Sequence, residues 1–185
     1  GRAGFVMANA ASDAGHSEKD IRTKMIDDGL VDVMVAVGPN MFYNVTLPVT
    51  LWFLDKGKKK TERKDKILFI NAQSIFTPIE GDRARRYWTD EQILQITDIV
   101  RSYRGEGEKK YEDVKGLCKV STLDEVCAGG YSLNAGRYVG TTNHVLMSDA
   151  DFETTVRGLN TELHKLTEEA HDLEKKVAEN FRKLF

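Results

Sequence analysis

The chain has 185 residues, 41% of them hydrophobic and 30% charged, enough for one ordinary folded domain with an appendage. Its net charge of -2 excludes a bulk electrostatic pull toward nucleic acid, so any such binding must come from local clusters. The two cysteines, Cys118 and Cys127, have neither a second pair nor a histidine at zinc spacing, and they read as free thiols of a reducing cytosol. No apolar run is long enough to span a membrane, and no basic-then-apolar segment marks a secretory signal.

In chain order, Gly1 runs almost directly into the apolar stretch AGFVMA, without an initiator methionine, which is expected of a piece excised from a longer protein. Residues 3–8 read as a buried strand, because the run has no polar face. Ser17 heads a capping box with Asp20, Ile21, Met25 and Ile26 follow at helical spacing, and Gly29 is a stop, so a helix is predicted over 18–28. The β-branched run at 31–37 is a second buried strand, Gly38-Pro39-Asn40 is a turn, and 49–54 and 66–71 are two more strands. This β-α-β-β-β order favours a parallel first pair with a right-handed crossover, followed by strands that are partly antiparallel. It suggests one half of an α/β sheet.

Beyond residue 75 the pattern becomes helical. Thr89 with Gln92 caps a helix carrying Ile93, Ile96, Val100 and Tyr103 and ending at Gly105. Residues 105–113 are a polar loop, and Ser121 with Asp124 starts a short helix that Gly129-Gly130 ends. The loop YSLNAGRYVG sets Arg137 among small and aromatic residues. A last capping box, Ser148 with Asp151, opens the cleanest periodicity of the chain. Phe152, Val156, Leu159, Leu163, Leu166, Ala170, Leu173, Val177 and Leu184 form a 4-3 seam of the coiled-coil type. A seam this regular favours docking on another chain over packing on its own domain. Three segments are therefore expected: 1–75, the α/β part; 76–147, a helix-and-loop extension; and 148–185, the docking helix.

Most familiar chemistry is missing. GEGEKK at 105–110 has no preceding strand and no Walker spacing, and AGGYSLNAG at 128–136 fails the dinucleotide-binding spacing. There is no Gly-x-Ser-x-Gly elbow, and His164 and His171 stand about 10 Å apart along one helix, too far to share a metal. Two basic clusters remain. KGKKKTERKDK at 56–66 is either a solvated hairpin tip or a phosphate-contacting surface, with Lys56, Lys58, Lys59 and Lys60 as candidates. DRARRYW at 82–88 puts Arg83, Arg85 and Arg86 beside Tyr87 and Trp88, a mixture that suits single-stranded or flipped-out bases. Phe42 and Tyr43, on the turn before a strand, are either rim residues of the core or a stacking surface.

Read in series, GRAGFVMANAASDAG, EKDIRTKMIDDGLVDVMVAVGPNMFYNVTLPVTLWFLDKGKK, GLCKV and LNAGRYVG resemble the later half of the DNA-adenine methyltransferase (modification) subunit of type I restriction–modification systems. The resemblance covers residues 1 to about 140, in the family's order. It implies the C-terminal half of a class I (Rossmann-like) methyltransferase sheet, with 3–8 as the fifth strand and 49–54 as the antiparallel seventh, followed by a helical region with a long C-terminal helix. It implies a cytoplasmic enzyme that transfers methyl from S-adenosylmethionine to the N6 amine of a flipped adenine. By its place before the antiparallel strand, Phe42, with Tyr43 as the alternative, would stack on that adenine. Val156, Leu159, Leu163, Leu166, Leu173 and Val177 would dock on the specificity subunit, and DNA and the restriction subunit are the further partners implied. The chain departs from the family in two respects. Its three prolines, Pro39, Pro48 and Pro78, are not adjacent, so the Asn-Pro-Pro-aromatic catalytic motif is absent, as is the Gly-rich cofactor loop. The chain alone is therefore expected to bind no S-adenosylmethionine and to methylate nothing, and an open strand edge is expected to self-associate or to be covered by the C-terminal helix. The competing expectation is a non-catalytic interaction module acting through the 148–185 helix.

Overall fold

The computed structural model describes residues 1–82, 84–107, 109–141 and 149–184. They fall into two compact units, Gly1–Thr142 and Asn143–Phe185. In the first unit the elements are β1 (Arg2–Ala8), α1 (His16–Asp27), β2 (Val31–Val37), β3 (Val49–Asp55), β4 (Lys66–Ala72), the short β5 (Thr77–Pro78) and β6 (Arg86–Tyr87), α2 (Asp90–Arg104), β7 (Cys118–Thr122) and α3 (Leu123–Ala128). Five strands form one sheet in the order β1-β3-β2-β4-β7, and β5 pairs with β6 as a separate hairpin.

β3 runs antiparallel to both of its neighbours, β1 and β2, whereas β2 and β4 are parallel and β7 is antiparallel to β4. β1 and β2 thus run the same way, as a strand–helix–strand unit should, but β3 lies between them and they do not pair. β1 is also not the buried strand its composition suggests. It is the edge of the sheet and is exposed at every residue, with Phe5, Val6 and Met7 each about two-fifths open or more. The extension expected after residue 75 adds β7 to the same sheet.

The core is built by strand alternation. Met34, Ala36, Trp52, Ile67 and Phe69 pack on one face with Ile26 of α1, Val126 of α3 and the 133–139 segment. Val33, Val35, Val37, Leu68 and Ile70 pack on the other with Ile96 and Tyr103 of α2. Burial on both faces is why β2 and β4 read as continuous apolar runs. α2 has the predicted ends: Gln92 N donates to Thr89 Oγ1, Gln92 Oε1 accepts from Thr89 N, and Gly105 closes the helix at φ +71°. The box of α3 lies one residue later than expected, at Thr122 and Glu125: Ser121 is buried within β7, and Thr122, the last residue of that strand, caps the helix. α1 begins at His16 with Gly15 at its cap and no capping side chain, so Ser17 lies inside the first turn.

The second unit holds α4 (Asp149–Leu184), a helix of 36 residues. Its described side chains are exposed, including Phe152, Val156, Leu159, Leu163, Leu166, Leu173 and Val177. The Ser148–Asp151 capping box lies outside the described residues.

Candidate nucleic-acid interface

β1, β2 and β4 point the same way and end at Ala8, Val37 and Ala72 on one edge of the sheet. In open α/β sheets, ligands bind in the crevice outside this carboxyl edge. Three segments meet there, 9–15, 38–48 and the stretch 73–76 that leads into β5. Gly38 is required for their approach, since a Cβ on it would stand 2.7 Å from the carbonyl oxygen of Gln73. Asn40 then turns the chain at φ +64°, a conformation that asparagine tolerates better than most residues. Val45 N donates to Phe42 O at 3.3 Å, which closes the tip and leaves Phe42 40% and Tyr43 81% exposed.

The β5–β6 hairpin is tied to this tip. Arg86 N donates to Asn40 O at 3.0 Å, and Trp88 Nε1 donates to Ile75 O at 2.7 Å beneath it. As a result the Arg85 guanidinium lies 5.0 Å from the centre of the Tyr43 ring, and that of Arg86 lies 3.9 Å from the centre of Phe76. Asp82 fixes Arg85 from its other side, accepting from Arg85 Nε at 2.5 Å and from the backbone N–H groups of Ala84 and Arg85. The Arg85 side chain, and then those two N–H groups, hold the Asp82 carboxyl down at about 2. The structure therefore brings together Phe42, Tyr43, Arg85 and Arg86, drawn from two clusters separated by a strand–turn–strand in the sequence. Arg83 lies outside the described residues.

Arg137 reaches the same edge from the far end of the unit. Leu133 N donates to Ser12 O and Gly116 N to Val139 O, so residues 133–139 run along the ends of the strands. Tyr138 stacks on Phe69 at 4.1 Å and fixes this segment to the sheet. Arg137 pairs with Asp13 at 3.5 Å, and its side chain remains 58% exposed. An arginine among small residues was the one sequence signal for it.

The lysine cluster is elsewhere. β3 runs from Val49 at the carboxyl edge to Asp55, so residues 56–66 lie at the opposite edge, a strand length of about 20 Å away. Lys56, Lys59 and Lys60 are exposed there. Lys58 is a correction to the phosphate-contact expectation: it is fully buried, and its Nζ donates to Val31 O and Lys66 O. Burial pushes its amine down to about 8, against the opposing pull of Asp32. Arg63, counted with the same cluster, is also buried and joins Asp32 at 2.5 Å and Asp55 at 3.2 Å, while Arg104 of α2 joins Asp32 at 2.9 Å. This network, hidden in a stretch that reads as a hairpin tip, holds β2, β3 and α2 together. Nothing in the local sequence announces it except an aspartate inside an apolar strand.

Among the described residues there is no cluster of histidine, cysteine or carboxylate side chains able to hold a metal, and no helix long and apolar enough to cross a membrane. The loop after β1 does not fit a nucleoside cofactor. Its carbonyls at Ala11 and Ala14, with that of Tyr131, converge on the buried guanidinium of Arg22, where a cofactor site would aim N–H groups outward.

Comparison with known proteins is consistent with this geometry. The family model described as N-6 DNA Methylase matches residues 1–145. The chain is 43% identical, over 97% of its length, to the type I restriction enzyme MjaIX methylase subunit of Methanocaldococcus jannaschii, and covers 31% of that protein. It is 35% identical to the HindI methylase subunit of Haemophilus influenzae, over 76% of its own length and 30% of the relative's. The chain thus spans between about a fifth and a third of the length of these curated relatives. Among solved structures, the type I methyltransferase subunit from Streptococcus thermophilus superposes with a TM-score of 0.63 at 25% identity, covering 77% of this chain and 27% of that one. The EcoKI M protein shares the fold at a TM-score of 0.56 and 15% identity, covering 91% of this chain and 41% of that one.

Proposed function

Because the chain belongs to the N-6 DNA methylase family, we propose that it works as part of a type I restriction–modification methylase subunit in the cytoplasm and supplies one wall of the pocket for a flipped adenine. The observation that carries this reading is the meeting of Phe42 and Tyr43 with Arg85 and Arg86 at the carboxyl edge. An exocyclic amine inside a duplex is out of reach, so the base must leave the stack. An exposed aromatic ring repays part of the unstacking cost, at about 1–3 kcal/mol per base. The arginines beside it suit the phosphates that flank an extruded nucleotide, which position the strand without reading its sequence. Arg85 is best prepared for this, since Asp82 grips one side of its guanidinium.

S-adenosylmethionine supplies the methyl group in this reading, and the loop after β1, whose carbonyls turn in on Arg22, is not built to hold it. The catalytic Asn-Pro-Pro-aromatic motif and the cofactor loop belong to other parts of the subunit, so this chain by itself transfers no methyl group. DNA, the specificity subunit and the restriction subunit are its proposed partners. The exposed α4 seam, Val156, Leu159, Leu163, Leu166, Leu173 and Val177, is the proposed docking surface. Its exposure also favours the second reading, an interaction module whose business is α4. Deleting 148–185 tests that reading directly: the complex with the specificity subunit should fail to assemble while the sheet remains folded, and unchanged assembly would refute a docking role.

The pocket is tested by Phe42→Ala and Tyr43→Ala in the complete methylase with its partner subunits. A loss of one stacking interaction predicts kcat/KM lowered by about 5- to 150-fold in the variant that removes it. Normal methylation by both variants would overturn the pocket assignment.

A further inference from the structure

The exposed seam of α4 has a charge pattern that is complementary to itself in one orientation. In the heptad frame set by Val156, Leu163, Ala170 and Val177 at one seam position and Phe152, Leu159, Leu166 and Leu173 at the other, the residues flanking the seam can be read off. The position before the first seam residue carries Glu162 and Glu169, then Lys176 and Lys183. The position after the second carries Glu153, Asn160, Thr167, Glu174 and Phe181. The sign thus reverses along one flank near the middle of the helix.

That reversal decides orientation. In a parallel pair of identical helices, Glu169 of each copy faces Glu174 of the other, and no opposite charges meet across the seam. In an antiparallel pair with Ala170 opposite Leu173 and Leu166 opposite Val177, Glu169 faces Lys176 and Glu162 faces Lys183, each twice by symmetry. In that register Asn180 lies opposite Leu163 near the ends of the overlap, where its amide can reach water. Among the described residues Glu169 pairs within α4 with Lys165 at 3.9 Å, both side chains being more than half exposed, so this pair makes no strong competing claim on it. The overlap from 159 to 184 runs about 39 Å.

We propose that α4 pairs antiparallel with α4 of a second copy of this chain, forming a two-stranded coiled coil centred between Ala170 and Leu173. This rests on the reading of the seam as an interface; docking on another subunit replaces one helical partner by another on the same residues. The experiment uses the whole chain in sedimentation equilibrium, with circular dichroism to confirm helix content. Lys176→Glu sets Glu169 against a glutamate twice and is expected to weaken the dimer by about tenfold or more. The double variant Glu169→Lys/Lys176→Glu, which restores the opposite-charge pairs inverted, is expected to return the affinity of the original chain. Orientation is read by disulfide trapping in a Cys127→Ser background. Leu166→Cys mixed with Val177→Cys should cross-link, whereas Val177→Cys alone should not. A chain that stays monomeric throughout, a dimer indifferent to Lys176→Glu, or a Val177→Cys homodimer would each overturn the proposal. If the chain is monomeric and Leu163→Asp still abolishes assembly with the other subunits, the self-pairing fails and the docking reading stands.

Discussion

Lys58 stands in a row of lysines, three of them open to water, yet its own side chain turns inward and ends on two backbone carbonyls. Composition and spacing have no means of separating it from Lys59 or Lys60; what separates them is the tight helical turn at Lys56–Lys60, which points one of them under β2 and β4. Its burial has a consequence for pH. The folded amine titrates at about 8, below the ordinary 10.5 of a lysine, so between those values the unfolded chain binds a proton that the folded chain does not. The contribution of Lys58 to stability therefore rises with pH across that window. The advantage of the native sequence over Lys58→Met in urea unfolding should be larger at pH 10 than at pH 7. An advantage that is constant or shrinks would mean that the amine is not buried as described. Asp32 makes a related point, because a carboxylate inside an apolar strand is visible in the sequence, but its partners Arg63 and Arg104 are 31 and 72 residues away.

At the scale of elements, local chemistry was legible wherever it is decided locally. The ends of α2 follow from Thr89, Gln92 and Gly105, because a capping box and a left-handed glycine are properties of neighbouring residues. β7 is not legible locally, because a five-residue strand carrying Lys119, Ser121 and Thr122 offers too little apolar pattern. The apolar run of β1 marks a strand but not its burial, since such a run does not say how many of its sides are covered. The loops of the candidate site are held together by close approach, most tightly at Gly38. Gly38→Ala drives a Cβ against the Gln73 carbonyl and should cost about 1–3 kcal/mol of stability. Hydrogen exchange at the Arg86 amide, which bonds to Asn40 O across the same junction, should accelerate with it. Unaltered stability and protection would show that the loops are joined in some other way.

For the whole molecule, the direction of β3 decides which sequence features can act together. It carries the chain from the aromatic tip to the lysine cluster, so residues adjacent in sequence come to lie at opposite edges of the sheet. Meanwhile Arg85, distant in sequence, comes to lie against Tyr43, and Arg86 and Arg137 reach the same edge of the sheet. Strand order is a long-range property, and no local reading predicts it. The family resemblance supplied an antiparallel strand at 49–54, and β3 is antiparallel to both of its neighbours. The central claim is that an extruded adenine rests on this edge, against Phe42 or Tyr43. The most direct test replaces the target adenine with 2-aminopurine and follows its fluorescence in the complete methylase–DNA complex. A flipped base stacked on an aromatic ring is quenched, so Phe42→Ala or Tyr43→Ala should brighten it while DNA affinity falls only modestly. Emission unchanged in both variants would contradict the account.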